Sequence, residues 1–346
     1  MSIPSMDIAV TGLAAISAAG VGIEPLWETM AQRQCRLTPV PVEVLGTGGY
    51  LWGKADAFRA ADFMPPLKAR KFDRCSLLAT VAAGMALADA GIDPKGGDPT
   101  RIGIALGCGF GGIANSVEFL SGYFSRGVEG LVPMLFPNTV ANAAASNASI
   151  EHGLKGPNVT QVQRFCSAEA AIQMACRFLE EGRADVMLAG GVDELTPLMM
   201  AGFRAAGQLR TYARSFGEGC GILVLERRDH AERRAARLRG RITGLRTVGM
   251  LPAGREREAV DRLMPPATPA LVSFSGAAAD NTALTTPLPA VPAMEPGNLI
   301  GRSLAMGGLA LAALLLVLPE DARGLHLAAS PEGPYHAIDV TGGMRA

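Results

Sequence analysis

Cys166 stands where an extended run (NVTQVQRF, residues 158–165) gives way, without a spacer, to the helical pattern SAEAAIQMACRFLEE. A thiol at such a junction lies beside unpaired backbone N–H groups and the positive end of the helix dipole, and both favour the thiolate. Ser167, Ala168, Ala170 and Ala171 are small enough for backbone or substrate to come close. A plainer reading stands beside this one, because unpaired cysteine is among the most buried residue types. The other cysteines, Cys35, Cys75, Cys108, Cys176 and Cys220, are scattered without a C-x-x-C pair, so neither a zinc knuckle nor a disulfide framework is indicated.

Gly107-Cys108-Gly109-Phe110-Gly111-Gly112 matches the G-x-G-x-x-G pattern between a strand and a helix. A dinucleotide site also needs an acid about 20 residues on, at the end of the next strand, and only Glu129 in a loop-like GVEG setting is offered. A close-packed glycine turn is the better account. Of the four histidines, His152 and His230 fall in polar settings and are expected in solvent; His326 lies in a short apolar strand and His336 near the C-terminus. No His-x3-His pair exists, so no metal site is expected. Seven arginines between Arg227 and Arg241 read as a solvated helix face, with docking of an acidic partner as the sharper alternative.

The elements that must hold these residues alternate between strand and helix. Strand patterns are expected over residues 7–14, 102–106, 158–165, 184–189, 219–226 and 324–329, and helical ones over 23–34, 74–90, 166–181 and 304–318. Residues 250–298 are rich in Pro, Ala and Thr and show little period. An internal echo is present. CSAEAAIQMACRFLEEGRADVMLAGG, from Cys166, lies against RSLAMGGLALAALLLVLPEDARGLHLAAS, from Arg302, and DIAVTGL lies against RITGLRT in the same order. Both pairs indicate a duplicated α/β unit with buried helices between sheets.

The chain has 346 residues, 49% of them hydrophobic and 18% charged, with mean hydropathy +0.22, which excludes global disorder. Thirty-two basic residues balance thirty-two acidic ones, so no nucleic-acid footprint exists and little charge repulsion opposes self-association. The opening MSIPSMDIAVTG lacks a secretory pattern, and the apolar run 304–318 is short of the roughly 20 residues of a membrane span. A cytoplasmic location without a membrane span is expected.

Six segments, VTGLAAIS, GCGFGGI, PMLFPNTVANAAASNASIEHGLKGPN, the cysteine junction, GRADVMLAGGVDE and FGEGCGILVLE, together resemble the β-ketoacyl synthase family over residues 7–230. The resemblance implies an α/β, thiolase-like fold of five αβαβα layers with a duplicated core. Residues 1–230 would form a ketosynthase-like half carrying the cysteine, and residues 231–346 a reduced second half. It implies dimerisation through the strand before the cysteine, here Asn158, Val159, Thr160, Gln161, Val162, Gln163, Arg164 and Phe165. It also places Phe110, Phe119, Met134 and Phe136 along the acyl tunnel or its gate.

Condensation in this family uses the cysteine to accept an acyl chain and two histidines to stabilise the enolate of a decarboxylating malonyl thioester. The first histidine belongs to a His-Gly-Thr-Gly-Thr segment, whose counterpart SFSGAAADNT offers only Ala277 to Ala279, centred on Ala278. The second follows a glycine before the buried helix, where Gly301-Arg302 stands; the family's preceding lysine falls at Gly297. The C-terminal Gly-Phe-Gly-Gly turn is matched with Val340-Thr341-Gly342-Gly343. Arg164 and Phe165 replace customary small residues, and Glu169, one turn into the helix, would oppose a thiolate if it faced the sulfur. These departures imply a chain-length-factor-like subunit that pairs with an active ketosynthase of a type II polyketide or aryl polyene pathway. A ketosynthase partner and an acyl carrier protein are expected, with no cofactor beyond the carrier's phosphopantetheine. The alternative is an acyltransferase or thioesterase working through Cys166 alone.

Overall fold

The computed structural model describes residues 6–211, 215–252, 254–265, 267–288, 290–331 and 333–344. Ten strands carry the architecture: β1 (Ile8–Ser17), β2 (Ile102–Cys108), β3 (Asn158–Gln161), β4 (Val186–Asp193), β5 (Gly219–Arg227), β6 (Gly240–Val248), β7 (Leu271–Gly276), β8 (Ala293–Met294), β9 (Arg323–Ala329) and β10 (Tyr335–Gly342). They line up as β8-β7-β9-β10-β6-β1-β5-β4-β2-β3. This row is two copies of one five-stranded pattern. In the first, β2 is parallel to β3 and β4, β5 is antiparallel to β4, and β1 is antiparallel to β5. In the second, β7 is parallel to β8 and β9, β10 is antiparallel to β9, and β6 is antiparallel to β10.

The copies meet where β1 and β6 pair antiparallel, Ile8 opposite Ile242 and Val10 opposite Gly240. Val10-Thr11-Gly12 and Ile242-Thr243-Gly244 each carry a register shift at the same place, so the echo between DIAVTGL and RITGLRT is a repeated bulge. The second echo is equally literal. Helix α4 (Ser167–Glu180) leads into β4, and α7 (Gly307–Val317) leads into β9. The second copy keeps all five strands; its shortening falls on the connections.

Between β1 and β4 run α1 (Arg74–Asp89), α2 (Ile113–Arg126) and α3 (Ala143–His152); the second copy adds α5 (Glu256–Leu263) and α6 (Thr282–Thr285). Side chains alternate along each strand, so each sheet face feeds a separate core. Ile222 and Val224 pack under α1 and α3, whereas Leu223 and Leu225 face α4 and α7. Val272, Phe274, Leu325 and Leu327 pack under α5 and α6. Five layers follow: α1/α3, a sheet, α4/α7, a sheet, α5/α6. Both faces of each sheet are covered, which is why β1 is buried along its whole length.

Several expectations change. β3 ends at Gln161 instead of reaching Phe165, because the chain must turn through Arg164–Cys166 to start α4. Ser167 holds this turn: its Oγ accepts from Gln163 N at 2.9 Å and donates to Arg164 O at 2.8 Å. Residues 250–298 contain α5, β7 and α6, whose elements were too short to show a period. The arginine-rich stretch forms a helix only over Arg228–Arg233. Arg234 turns inward to a bidentate pair with buried Glu226 and Arg239 pairs with Asp89, so those two are not part of a solvated face. His230 also reaches Glu226, at 2.6 Å, and His152 contacts Thr80 O at 2.8 Å, so neither ring is simply solvated. No helix of the described residues is long and apolar enough to cross a membrane.

The glycines of the turn after β2 are dictated by packing. A Cβ on Gly107 would lie 2.2 Å from Ser167 C, and one on Gly109 would lie 2.8 Å from Leu304 Cβ. By contrast, a Cβ on Gly202, in the helix Pro197–Ala205, would meet nothing within 4 Å. Gly107→Ala is therefore expected to destabilise the fold by about 3 kcal/mol, and Gly202→Ala to stabilise it by up to about 1 kcal/mol. Urea unfolding of the two variants against the parent chain checks both signs.

Candidate active site around Cys166

Cys166 occupies the N-cap of α4 and is wholly buried. The approach to the helix is sharp: Arg164 adopts φ 53°, in the left-handed region that side chains rarely take. The turn between β9 and β10 closes over the sulfur. Its thiol faces Pro334 O at 3.3 Å, and Ser330 Oγ lies 3.8 Å away while accepting from Phe165 N at 3.0 Å. Val340 to Gly343, matched from sequence with the gating turn, are instead at the far end of β10, where Gly342 pairs with Gly240. The residues that meet the sulfur are Ser330 and Pro334.

Strand alternation sends Ser273, Ser275, His326 and His336 towards the central helices, while Val272, Phe274, Leu325, Leu327 and Tyr335 face outward. Glu169 of α4 meets this polar stripe. Its Oε1 accepts from Ser275 Oγ at 2.5 Å and lies 2.9 Å from His326 Nε2. Glu169 and His326 are both fully buried. Gly307 of α7 makes the room, since a Cβ there would sit 2.1 Å from Glu169 Oε1. Burial alone would raise the Glu169 carboxyl, but His326, Ser275 and His336 outweigh it and hold it below its ordinary range. His336 contacts Thr247 Oγ1 at 3.1 Å, and burial pushes its pKa down.

The sulfur feels the opposite environment. Burial drives the Cys166 thiol well above its usual pKa, the Glu169 charge adds to the rise, and Ser330 and Arg164 offset only part of it. The helix-terminus argument for a thiolate is overridden by desolvation. The hydrogen-bond contacts of the sulfur are with Pro334 O and Ser330 Oγ. The clustering of the histidines was missed from sequence, although a histidine inside the apolar run GLHLAA and an acid inside SAEAAI each require a buried partner.

Ala278 is wholly buried in the apolar cluster with Phe274, Leu327 and Tyr335, and does not face the sulfur. Arg302 is buried and its guanidinium is engaged by Asp280 at 2.6 Å and by Glu295. Asp280 directly follows Ala277 to Ala279, so this pair ties together the two loops that carry histidines in the family. A shallow hollow of about 400 Å³, bordered by Ala277, Asp280, Asn281, Ser330 and Pro331, opens beside them.

Phe110, Phe119, Met134 and Phe136 lie at or near the surface around α2. Phe119 and Phe136 pair at 5.8 Å, and Phe110 packs on Phe203 at 6.0 Å. Met134 is 73% exposed, Phe124 79% and Ile150 77%, and Val162 continues this apolar face beside the open edge of β3. Asp193 braces the region from inside. It accepts from Gly109 N and Ala305 N, both at 2.7 Å, so it links the glycine turn to the approach to α7, and burial raises its pKa to about 6.

Comparison with known proteins places this geometry. The family model described as the β-ketoacyl synthase N-terminal domain matches residues 5–231. A 3-oxoacyl-[acyl-carrier-protein] synthase 2 of Rhizobium meliloti (strain 1021) is 32% identical over 266 residues, covering 68% of this chain and 63% of the relative. The same-named protein of Vibrio cholerae serotype O1 (strain ATCC 39315 / El Tor Inaba N16961) is 30% identical over 257 residues, covering 68% and 62%. The chain thus spans a little under two thirds of the length of these curated relatives. Among solved structures, the ishigamide ketosynthase/chain length factor superposes with TM-score 0.83 at 22% identity, covering 98% of this chain and 100% of that one. A type II polyketide synthase acyl-carrier protein in complex with its ketosynthase bound to the hexaketide gives 0.80 at 20% identity, covering 97% and 99%. These share the thiolase-like fold.

Two outcomes follow for the sulfur and its neighbour. Native chain treated with iodoacetamide at pH 8 should be modified at exposed Cys35 and spared at Cys166, and Glu169→Gln should speed Cys166 modification by removing a charge that raises its pKa; peptide mass mapping reads both. Glu169 titrates below its ordinary value when folded, so its contribution is complete above the unfolded pKa, near 4.5, and is lost as pH falls through the lower folded value. Glu169→Ala, which strands His326, should cost about 3–5 kcal/mol at pH 7, and the difference from the parent chain in urea unfolding should shrink below pH 4.5.

Proposed function

The chain belongs to the β-ketoacyl synthase family, and from that premise we propose that it serves as a non-condensing, chain-length-factor-like subunit. In this role it pairs with an active ketosynthase of a type II polyketide or aryl polyene pathway and helps shape the acyl tunnel. The single observation that carries the proposal is the state of the groups around Cys166. Decarboxylative condensation needs a thiolate to hold the acyl chain and two donors aimed at the developing enolate oxygen. Here the thiol is kept protonated, His326 is held by Glu169, and Arg302 is bound by Asp280 and Glu295. Arg302 is also permanently protonated and cannot cycle a proton.

The exposed apolar face supports the pairing role. Phe124, Val128, Met134, Phe136, Ile150 and Val162 are exposed beside the unpaired edge of β3, and both features suit a partner with the same fold. Phe110, Phe119, Met134 and Phe136 would then gain a second wall, with the acyl chain arriving on a carrier protein's phosphopantetheine. Acyl transfer or thioester hydrolysis by Cys166 alone is the weaker reading, because a buried neutral thiol against Ser330 and Pro334 is a poor nucleophile.

Co-expression with a ketosynthase from the genomic neighbourhood, followed by native mass determination, should yield a heterodimer. Val162→Glu and Phe124→Glu should weaken that association at least about tenfold by burying charge in an apolar contact. Cys166→Ala should leave product yield and length unchanged, while Met134→Trp or Phe136→Ala should alter length. Carbon dioxide release from malonyl-carrier protein by the isolated chain, with elongation of a bound acyl group, would overturn the assignment.

A further inference from the structure

Outside the site around Cys166, three chain segments converge on a second buried polar cluster: the start of α1, the glycine turn before α2, and the end of β4. One ligand atom from each of Asp73, Cys75 and Glu194 lies within 4.8 Å of the other two, and all three residues are buried. Asp73 caps α1, accepting from Cys75 N at 3.1 Å and Ser76 N at 3.3 Å. Glu194 Oε1 accepts from Ala114 N at 2.8 Å, in the first turn of α2. Its other oxygen, Oε2, is shut off from solvent with no hydrogen-bond partner, and Glu194 is only 2% exposed. Arg74, next to Asp73 in the chain, and Lys54 are both bound to Glu218, at 2.8 and 2.7 Å.

We propose that Asp73, Cys75 and Glu194 form a site for one divalent ion of the zinc class, which fixes the N-terminus of α2. One thiolate with two carboxylates is a borderline donor set. The sulfur disfavours calcium and magnesium, and the two hard oxygens disfavour copper(I). Tetrahedral zinc distances put ligand atoms about 3.4–3.6 Å apart, so binding would draw the three groups together from their present separation of up to 4.8 Å. On binding, the Cys75 thiol proton and any carboxyl protons leave to solvent, and the ion takes their place on sulfur and oxygen.

Cys75 and Cys108 bracket the Gly111 peptide: Cys75 donates to Gly111 O at 3.6 Å and Cys108 accepts from Gly111 N at 3.2 Å. Gly111 has φ 78°, and a Cβ there would press on Ala141 at 2.9 Å, so the turn has one tightly packed arrangement. An ion held at its base would fix this turn and the helix that presents the exposed apolar face. The proposal rests on these residues and is independent of the pairing role.

The test uses the full chain, stripped with chelator and titrated with Cd2+ alone and then with Zn2+ alone. Expected are one ion per chain by native mass spectrometry, a sulfur-to-cadmium charge-transfer band in the ultraviolet, and a higher Tm with Zn2+. Cys75→Ser should abolish the band, Glu194→Gln should weaken Zn2+ binding at least about tenfold, and Cys176→Ser should change neither. Absence of a bound ion at millimolar metal, or a band that survives Cys75→Ser, overturns the site. Should Cys75→Ser fail to fold by circular dichroism, Glu194→Gln decides, because its amide oxygen can still accept from Ala114 N; parent-like affinity in that variant overturns the proposal.

Discussion

A carboxylate without access to water governs the middle of this molecule. Glu169 projects from α4 into the layer between two sheets, where an unpaired charge would cost several kcal/mol. Ser275 from β7 and His326 from β9 answer it, and Gly307 of α7 gives it space. Its partners come from the second copy of the duplicated unit, while Glu169 comes from the first. The pair therefore fixes the register of one copy against the other, which the apolar contacts around α4 and α7 specify less strictly. A buried carboxylate joined to a single imidazole and a single hydroxyl is a weak source of net stability, yet separating them would leave it without partners.

That constraint also sets the environment of the sulfur. A thiol at a helix N-terminus is ordinarily activated, but here the first turn of the same helix delivers a negative charge close to the sulfur and the β9–β10 turn removes it from solvent. His326 answers the carboxylate. Arg302 is held in the same way by Asp280 and Glu295. These contacts tie neighbouring elements together, and a fold held in this way does not by itself specify an activity.

What the sequence made legible follows from what determines each feature. The duplication could be read from the Val-Thr-Gly and Ile-Thr-Gly segments because a bulge is a local backbone event with a local signature. The helix at Cys166 was legible for the same reason. The Glu169, Ser275, His326 and His336 cluster was not, since it joins residues up to 167 positions apart and depends on which face of β7, β9 and β10 points inward. Arg234 and Arg239 misled in the same manner: a run of arginines looks solvated until Glu226 and Asp89 are seen beneath it. The ladder of β3 stopped short because an edge strand has a partner on one side only, and pattern alone cannot say where pairing ends.

The surface completes what the centre begins. Every layer of the core is covered, yet α2 and the segment after it leave Phe124, Val128, Met134 and Phe136 in water. A chain that buries its β1 residues completely has no folding reason to expose these. The exposed face is also wired inward. The glycine turn that feeds α2 is gripped by Asp193, which in turn holds Ala305 at the approach to α7, and α7 is the helix that yields to Glu169. Displacing α2 would strain the turn and then Asp193, so the exposed face is coupled through these contacts to the interior that holds Glu169. A surface ordered in advance in this way lowers the ordering cost of any association it enters.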